Sequence, residues 1–161
     1  MNLPLYFIIL TILVIGCNSN SIEPDNQLIH QSFQQHFGGY EELLKMYSED
    51  MTESNVSFVS AEDPNRTQCN LWPHKNSCSL HIGRWKKYQS LLHQLGVLWI
   101  EHNRPTDPYY FVTYYEPILM NARLKGVAFS EERSPQISTY YPNQQWWPIH
   151  SGWHLFLRID G

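Results

Sequence analysis

An α+β domain is the fold class this chain predicts, and three observations predict it. Apolar residues recur at three- and four-residue steps near the N-terminus and again over 85–95, which marks amphipathic helices. Runs rich in aromatic and β-branched residues fill the C-terminal half, separated by short turns. Helical patterns come mainly first and strands follow one another, so the strands are expected to pair antiparallel, with the helices on one face. The expectation is one or two N-terminal helices and a second amphipathic helix packed on a sheet of three to five strands.

The elements follow in order. Leu28, Phe33, Phe37, Tyr40, Leu43, Leu44 and Tyr47 make the first helical stripe. Gly38-Gly39 interrupts it, as a kink or as a break before a second helix over Tyr40 to Met51. Asn55 to Ser60 alternates polar and apolar residues, the mark of a short strand. Trp85, Tyr88, Leu91, Leu92 and Leu95 line one face of the next helix, and Gly96 suits its left-handed cap, with Val97 closing it. Val97 to Glu101 predicts a strand, and Arg104 to Pro108 a turn. Tyr109 to Tyr115 is the densest strand signal in the chain. Leu124 to Ser130 predicts another strand, with Gly126 marking a bulge. Trp153 to Ile159 alternates and ends the sheet. Trp146-Trp147, with Pro142 and Pro148 around it, reads as an ordered loop.

The N-terminus has a different character. Leu3 to Gly16 is an apolar run broken only by Pro4 and Thr11, followed by Cys17 and the polar Asn18-Ser19-Asn20-Ser21. The run is shorter than the roughly 20 apolar residues of a membrane span. Val14-Ile15-Gly16-Cys17 resembles the lipobox of bacterial lipoproteins. That resemblance implies cleavage after Gly16 and acylation of Cys17 with palmitate-type chains. Two departures are the absence of Lys or Arg before the run and the bulky Ile15. The implied layout is a signal peptide over 1–16, a flexible tether over 17–27 and a single domain over 28–161. Asn18 leans to the outer membrane, facing the periplasm. Three further stretches resemble landmarks of small bacterial envelope lipoproteins of unknown function. They are the helix end Leu95-Gly96, the strand Lys125-Gly126-Val127-Ala128-Phe129 and the terminal Trp153-His154-Leu155-Phe156. The resemblance carries no catalytic residue with it.

Composition narrows the partners. A net charge of −4 supplies no basic stripe for nucleic acid. With 14% aromatic and 16% charged residues, the chain can bury a core and is not disordered. Once Cys17 takes lipid, Cys69 and Cys78 remain as a pair, and in an oxidising compartment they read as a disulfide. A loop of about ten residues closed this way stabilises by roughly 2–3 kcal/mol in the chain-entropy model. His74 and His81 interleave with these cysteines, but the spacing matches no common zinc pattern.

Catalytic patterns are missing from the sequence. There is no G-x-S-x-G, no H-E-x-x-H and no phosphate-binding glycine loop. His150 and His154 are the tightest histidine pair, but Gly152 breaks the segment between them. The adjacent pairs Glu41-Glu42, Glu49-Asp50, Glu62-Asp63 and Glu131-Glu132 read as solvated faces. No catalytic residue, metal ligand or cofactor is therefore assigned. Tyr140, Tyr141, Trp146 and Trp147 form the candidate contact surface. The functional expectation is a noncatalytic, lipid-anchored module that contacts the membrane through its N-terminal lipid and an envelope protein through this surface, with an immunity-type role as one version. The alternative is a periplasmic binder of a small ligand or glycan, using the same aromatic loop; a hydrolase ranks behind both.

Overall fold

The computed structural model describes residues 23–54, 56–62, 68–69, 80–103, 107–131 and 143–160. The chain forms α1 (Asn26–Gln35), α2 (Phe37–Ser54), β1 (Val56–Ser60), β2 (Gln68–Cys69) and α3 (Ile82–Leu95). It continues as β3 (Trp99–Glu101), β4 (Tyr109–Ile118), β5 (Asn121–Phe129), β6 (Gln144–His150) and β7 (Trp153–Asp160). Six strands and the two-residue β2 make one antiparallel sheet in the order β2-β1-β3-β4-β5-β7-β6. The class is α+β, with more strands than the three to five expected.

The extra strand of substance is β6, which the flanking prolines had marked as loop. It lies at the edge of the sheet, where a residue without an N–H does little harm to the ladder. Pro148 sits opposite His154, and the register shifts just after it.

The helix boundaries have local causes. Asp25 caps α1, its side chain accepting from the Gln27 N–H at 3.3 Å. The break between α1 and α2 falls at His36, and Gly38-Gly39 lies inside the first turn of α2. At Gly39 an added Cβ would lie 2.9 Å from the Leu95 side chain, so the missing side chain lets α3 approach. Gly96 ends α3 at φ 66°, and the Val97 N–H reaches the Leu92 carbonyl at 2.8 Å. Of the tether expected over 17–27, Glu23 to Gln27 are described. Glu23 to Gln27 already belong to the fold, ahead of the expected 28, because Glu23 and Pro24 bind β5 and Asp25 caps α1.

Alternation along each strand separates two faces. The helix-covered face holds the main core. Phe33 of α1, Tyr40 of α2, Phe111 of β4 and Trp153 of β7 interlock there, with Phe33–Trp153 and Phe111–Trp153 ring centres each 5.3 Å apart. The helix-free face holds a smaller core of Tyr110, Val112, Leu124, Ala128 and Phe156. Thr113 bulges out of the β4–β5 ladder, since Val112 pairs with Gly126 and Tyr114 with Lys125. Gly126 is required opposite the bulge, because a Cβ there would collide with the Phe111 carbonyl oxygen.

One acidic pair departs from the solvated reading. Asp50 is buried between α2 and α3. It accepts from Arg84 Nε at 2.8 Å and from the Tyr88 hydroxyl at 2.7 Å. The Arg84 guanidinium also donates to the Met46 carbonyl at 2.8 Å and to Glu49 at 3.1 Å. Burial opposes the Arg84 charge, and its bonds to Asp50 and Glu49 outweigh that, so its pKa is raised. Burial and the bond to Asp50 push the Tyr88 phenol far above its ordinary value. The group clamps the two helices to each other.

Two outcomes are expected. Asp50→Ala should destabilise by about 2–3 kcal/mol and Tyr88→Phe by about 1 kcal/mol in urea unfolding. The larger figure stays below that of a fully buried pair because the Arg84 side chain keeps 29% exposure. His102 sets a pH dependence. It is buried and stacks on Tyr109 at 4.4 Å, and burial lowers its pKa below 6.5. As pH falls through about 6.5 the unfolded chain takes up this proton first, so stability falls with it. Unfolding midpoints should drop between pH 7.5 and 5.5, and drop less in His102→Gln.

Candidate functional site

A buried charged cluster lies on the helix-free face. Arg158 of β7 is only 2% exposed. Its guanidinium pairs with Glu101 of β3 at 2.6 Å and with Asp160 of its own strand at 2.7 Å. It also stands over the Tyr110 ring, 4.9 Å from the centroid. Glu101 accepts a second bond from the Trp99 indole N–H at 3.1 Å. On the far side, the Gln144 amide of β6 donates to the Tyr110 hydroxyl at 3.2 Å. Charged groups removed from water require partners of this kind.

The cluster has an unusual reach. Glu101 stands level with Tyr110, Ala128 and His154, whereas Arg158 stands level with Leu124. Three strand spacings and four residues separate them, so a flat sheet would hold their backbones roughly 19 Å apart. Neither side chain is long enough to close that gap. The sheet therefore bends along this diagonal, and its helix-free face is concave there.

The concavity is a cleft of about 480 Å³. Phe58, Trp99 and Tyr115 supply aromatic walls, and Arg158, Glu101 and Asp160 lie at its base. The Phe58 and Trp99 ring centres are 6.1 Å apart, and those of Trp99 and Tyr115 are 5.6 Å apart. Tyr115 and Leu98 are 45% and 37% exposed, which marks the open side. Glu62 adds a third carboxylate at the rim, so acid outnumbers base in the lining. Ser60 also lines the cleft, and its hydroxyl accepts from the Glu62 backbone N–H at 3.2 Å. No His or Cys is among the described lining residues. Two of the three carboxylates are committed to one guanidinium.

The residues singled out in the sequence fall elsewhere. Cys17, Cys78, Tyr140 and Tyr141 lie outside the described residues, and so does the expected Cys69–Cys78 disulfide. The Cys69 backbone belongs to β2, opposite Val56. Trp146 and Trp147 are adjacent on β6 and point to opposite faces. Trp146 packs beside Tyr110 and Phe156 on the helix-free side, and Trp147 against the helix-side core. Both are half-buried, and they do not form one contact patch. His150 packs on Phe37 while His154 faces Trp146 across the sheet, so they do not share a ligand site. His81 caps α3, its Nδ1 accepting from the Gly83 N–H at 3.2 Å. Among the described residues no group of three or more His, Cys, Asp or Glu side chains could hold a metal ion. No helix among them is long and apolar enough to cross a membrane.

Trp99, Glu101, Arg158 and Asp160 were not singled out in the sequence. The signal for Arg158 is the alternation of β7. Trp153, Leu155, Leu157 and Ile159 make one wholly apolar row, so His154, Phe156, Arg158 and Asp160 read as the outward row. Only Phe156 in that row hints at a second covered face. Comparison with protein-family models, curated proteins and solved structures finds no match, so the resemblance to small bacterial lipoproteins rests on the signal and the three short motifs alone.

Proposed function

We propose that the protein is a noncatalytic binding module of the cell envelope, tethered through lipid on Cys17, and that its ligand enters the cleft on the helix-free face. The single observation behind this reading is the aromatic-walled cleft of about 480 Å³ over the Arg158 cluster. Its volume falls in the range of small-ligand sites, roughly 300–1,000 Å³. The walls are flat rings, suited to stacking against the apolar face of a sugar ring. The Glu62 carboxylate, exposed at the rim, is an acceptor for hydroxyl or amine hydrogens.

The charge pattern narrows the ligand. Arg158 is the base in the cleft, and it is buried between two carboxylates. It is not available to receive phosphate or another anion. A neutral or cationic, hydroxyl-bearing ring is the class that fits, and an envelope glycan is the member of that class that the location offers. The binding surface thus moves from the aromatic loop expected around Trp146 and Trp147 to Trp99 and Tyr115.

Titration with soluble neutral and amino-sugar cell-wall fragments should quench tryptophan fluorescence. Trp99→Ala should weaken that binding by at least about tenfold, the order expected for loss of a central aromatic anchor. Trp147→Phe, on the opposite face, should leave it unchanged. Silence across the panel, or equal loss in both variants, would remove the cleft as the binding site.

A further inference from the structure

The β4–β5 hairpin ends in an exposed apolar tip. Leu119 and Met120 are 105% and 95% exposed. Pro117, Ile118, Leu119, Met120, Asn121 and Ala122 carry no charge. Leu119 has φ 49°, and it is the one described non-glycine residue with positive φ. A two-residue hairpin turn with positive φ at its first position favours Gly there. Leu in that place adds backbone strain and exposes its whole side chain, which is unfavourable twice over in water.

The root of the same hairpin receives the N-terminal segment. Arg123 donates to Glu23 at 3.1 Å and to Glu116 across the hairpin at 3.4 Å. Lys125 donates to the Pro24 carbonyl at 2.8 Å and pairs with Glu23 at 2.9 Å. The bond from Lys125 is the main reason the Glu23 carboxyl titrates below its usual range. Cys17 precedes Glu23 by six residues, a reach of at most about 20 Å. The tip is three residues beyond Arg123, roughly 10 Å along the strand.

We infer that the Leu119–Met120 tip is a membrane-inserting peg that dips into the bilayer surface to which the chain is tethered. The inference rests on the lipid-anchor reading of Cys17 for its geometry. Lipid is the occupant that the position favours, because an apolar tip without charge stands at the place where the anchored segment joins the fold. An acyl anchor alone leaves the domain free to swivel. A second apolar contact makes membrane attachment a two-point one and sets which end of the sheet faces the bilayer.

The test places the photo-crosslinking residue benzoylphenylalanine at Met120 or at Ser151 of the full chain, in bacterial membranes. Ser151 is exposed in the β6–β7 turn, at the opposite end of the sheet. After illumination, intact mass reports both acylation of Cys17 and any adduct. The expected result is a phospholipid adduct from position 120 and none from 151. Protein adducts at 120, no adduct, or equal lipid adducts at both positions would overturn the peg. A mass lacking acyl chains would count against the anchor, while the adduct pattern still decides the peg. Leu119→Gly should keep or raise folding stability, because Gly fits the positive φ, and should reduce the lipid adduct at 120. A loss of folding in that variant would contradict the strain on which the inference draws.

Discussion

The ion pair between Arg158 and Glu101 is the constraint on which the helix-free face depends. It joins strands three places apart in the sheet and four residues apart in register. A pair at 2.6 Å across that diagonal is possible only because the sheet is strongly bent. A β-bulge lies in the strands between the two residues. Thr113 is one residue more than the β4–β5 ladder can pair, and Gly126 supplies the room opposite it. A bulge of this kind raises local twist and turns the strand. Arg158, Glu101 and Tyr110 then meet in the hollow so formed, and the cleft is what remains open beside them.

The two faces are stabilised by different physics. The helix side is an apolar core in which Phe33, Tyr40, Phe111 and Trp153 touch in several directions. Burying such rings contributes the main favourable free energy of the fold. The helix-free side buries the Arg158 guanidinium and the Glu101 carboxylate on the same face as Phe156 and Val112. Ion pairs of that kind add little net stability, because desolvation offsets the attraction. What they do is tie elements together: Arg158 of β7 holds Glu101 of β3 and stands over the Tyr110 ring of β4.

Much of the layout was legible in the residues. The α3 stripe, its Gly96 cap and the β4 run carried their own periodicities, and the structure places all three close to expectation. Gly126 was readable as a bulge marker, although the extra residue lies on the opposite strand. Other features were not legible, for physical reasons. Pro148 argues against a strand until one knows that β6 is an edge, and edge position is a property of the whole sheet. Asp50 looks like half of a solvated acidic pair until α3 brings Arg84 and Tyr88 to it from more than thirty residues away. Arg158 and Glu101 lie on rows that alternate to the outside, and only curvature turns that outside into an inside. Nothing local encodes such long-range convergence.

The most direct measurement is a double-mutant cycle between Glu101→Gln and Arg158→Met, followed by urea unfolding of the wild type, both single variants and the double variant. If the diagonal pair is made across the bent sheet, Arg158→Met strands the buried Glu101 carboxylate, and Glu101→Gln leaves Arg158 with Asp160 as its carboxylate partner. The double change then restores much of the loss, with a coupling energy on the order of 2–3 kcal/mol. Additive effects, with coupling below about 0.5 kcal/mol, would show that the two residues act independently and would contradict the account of the bend.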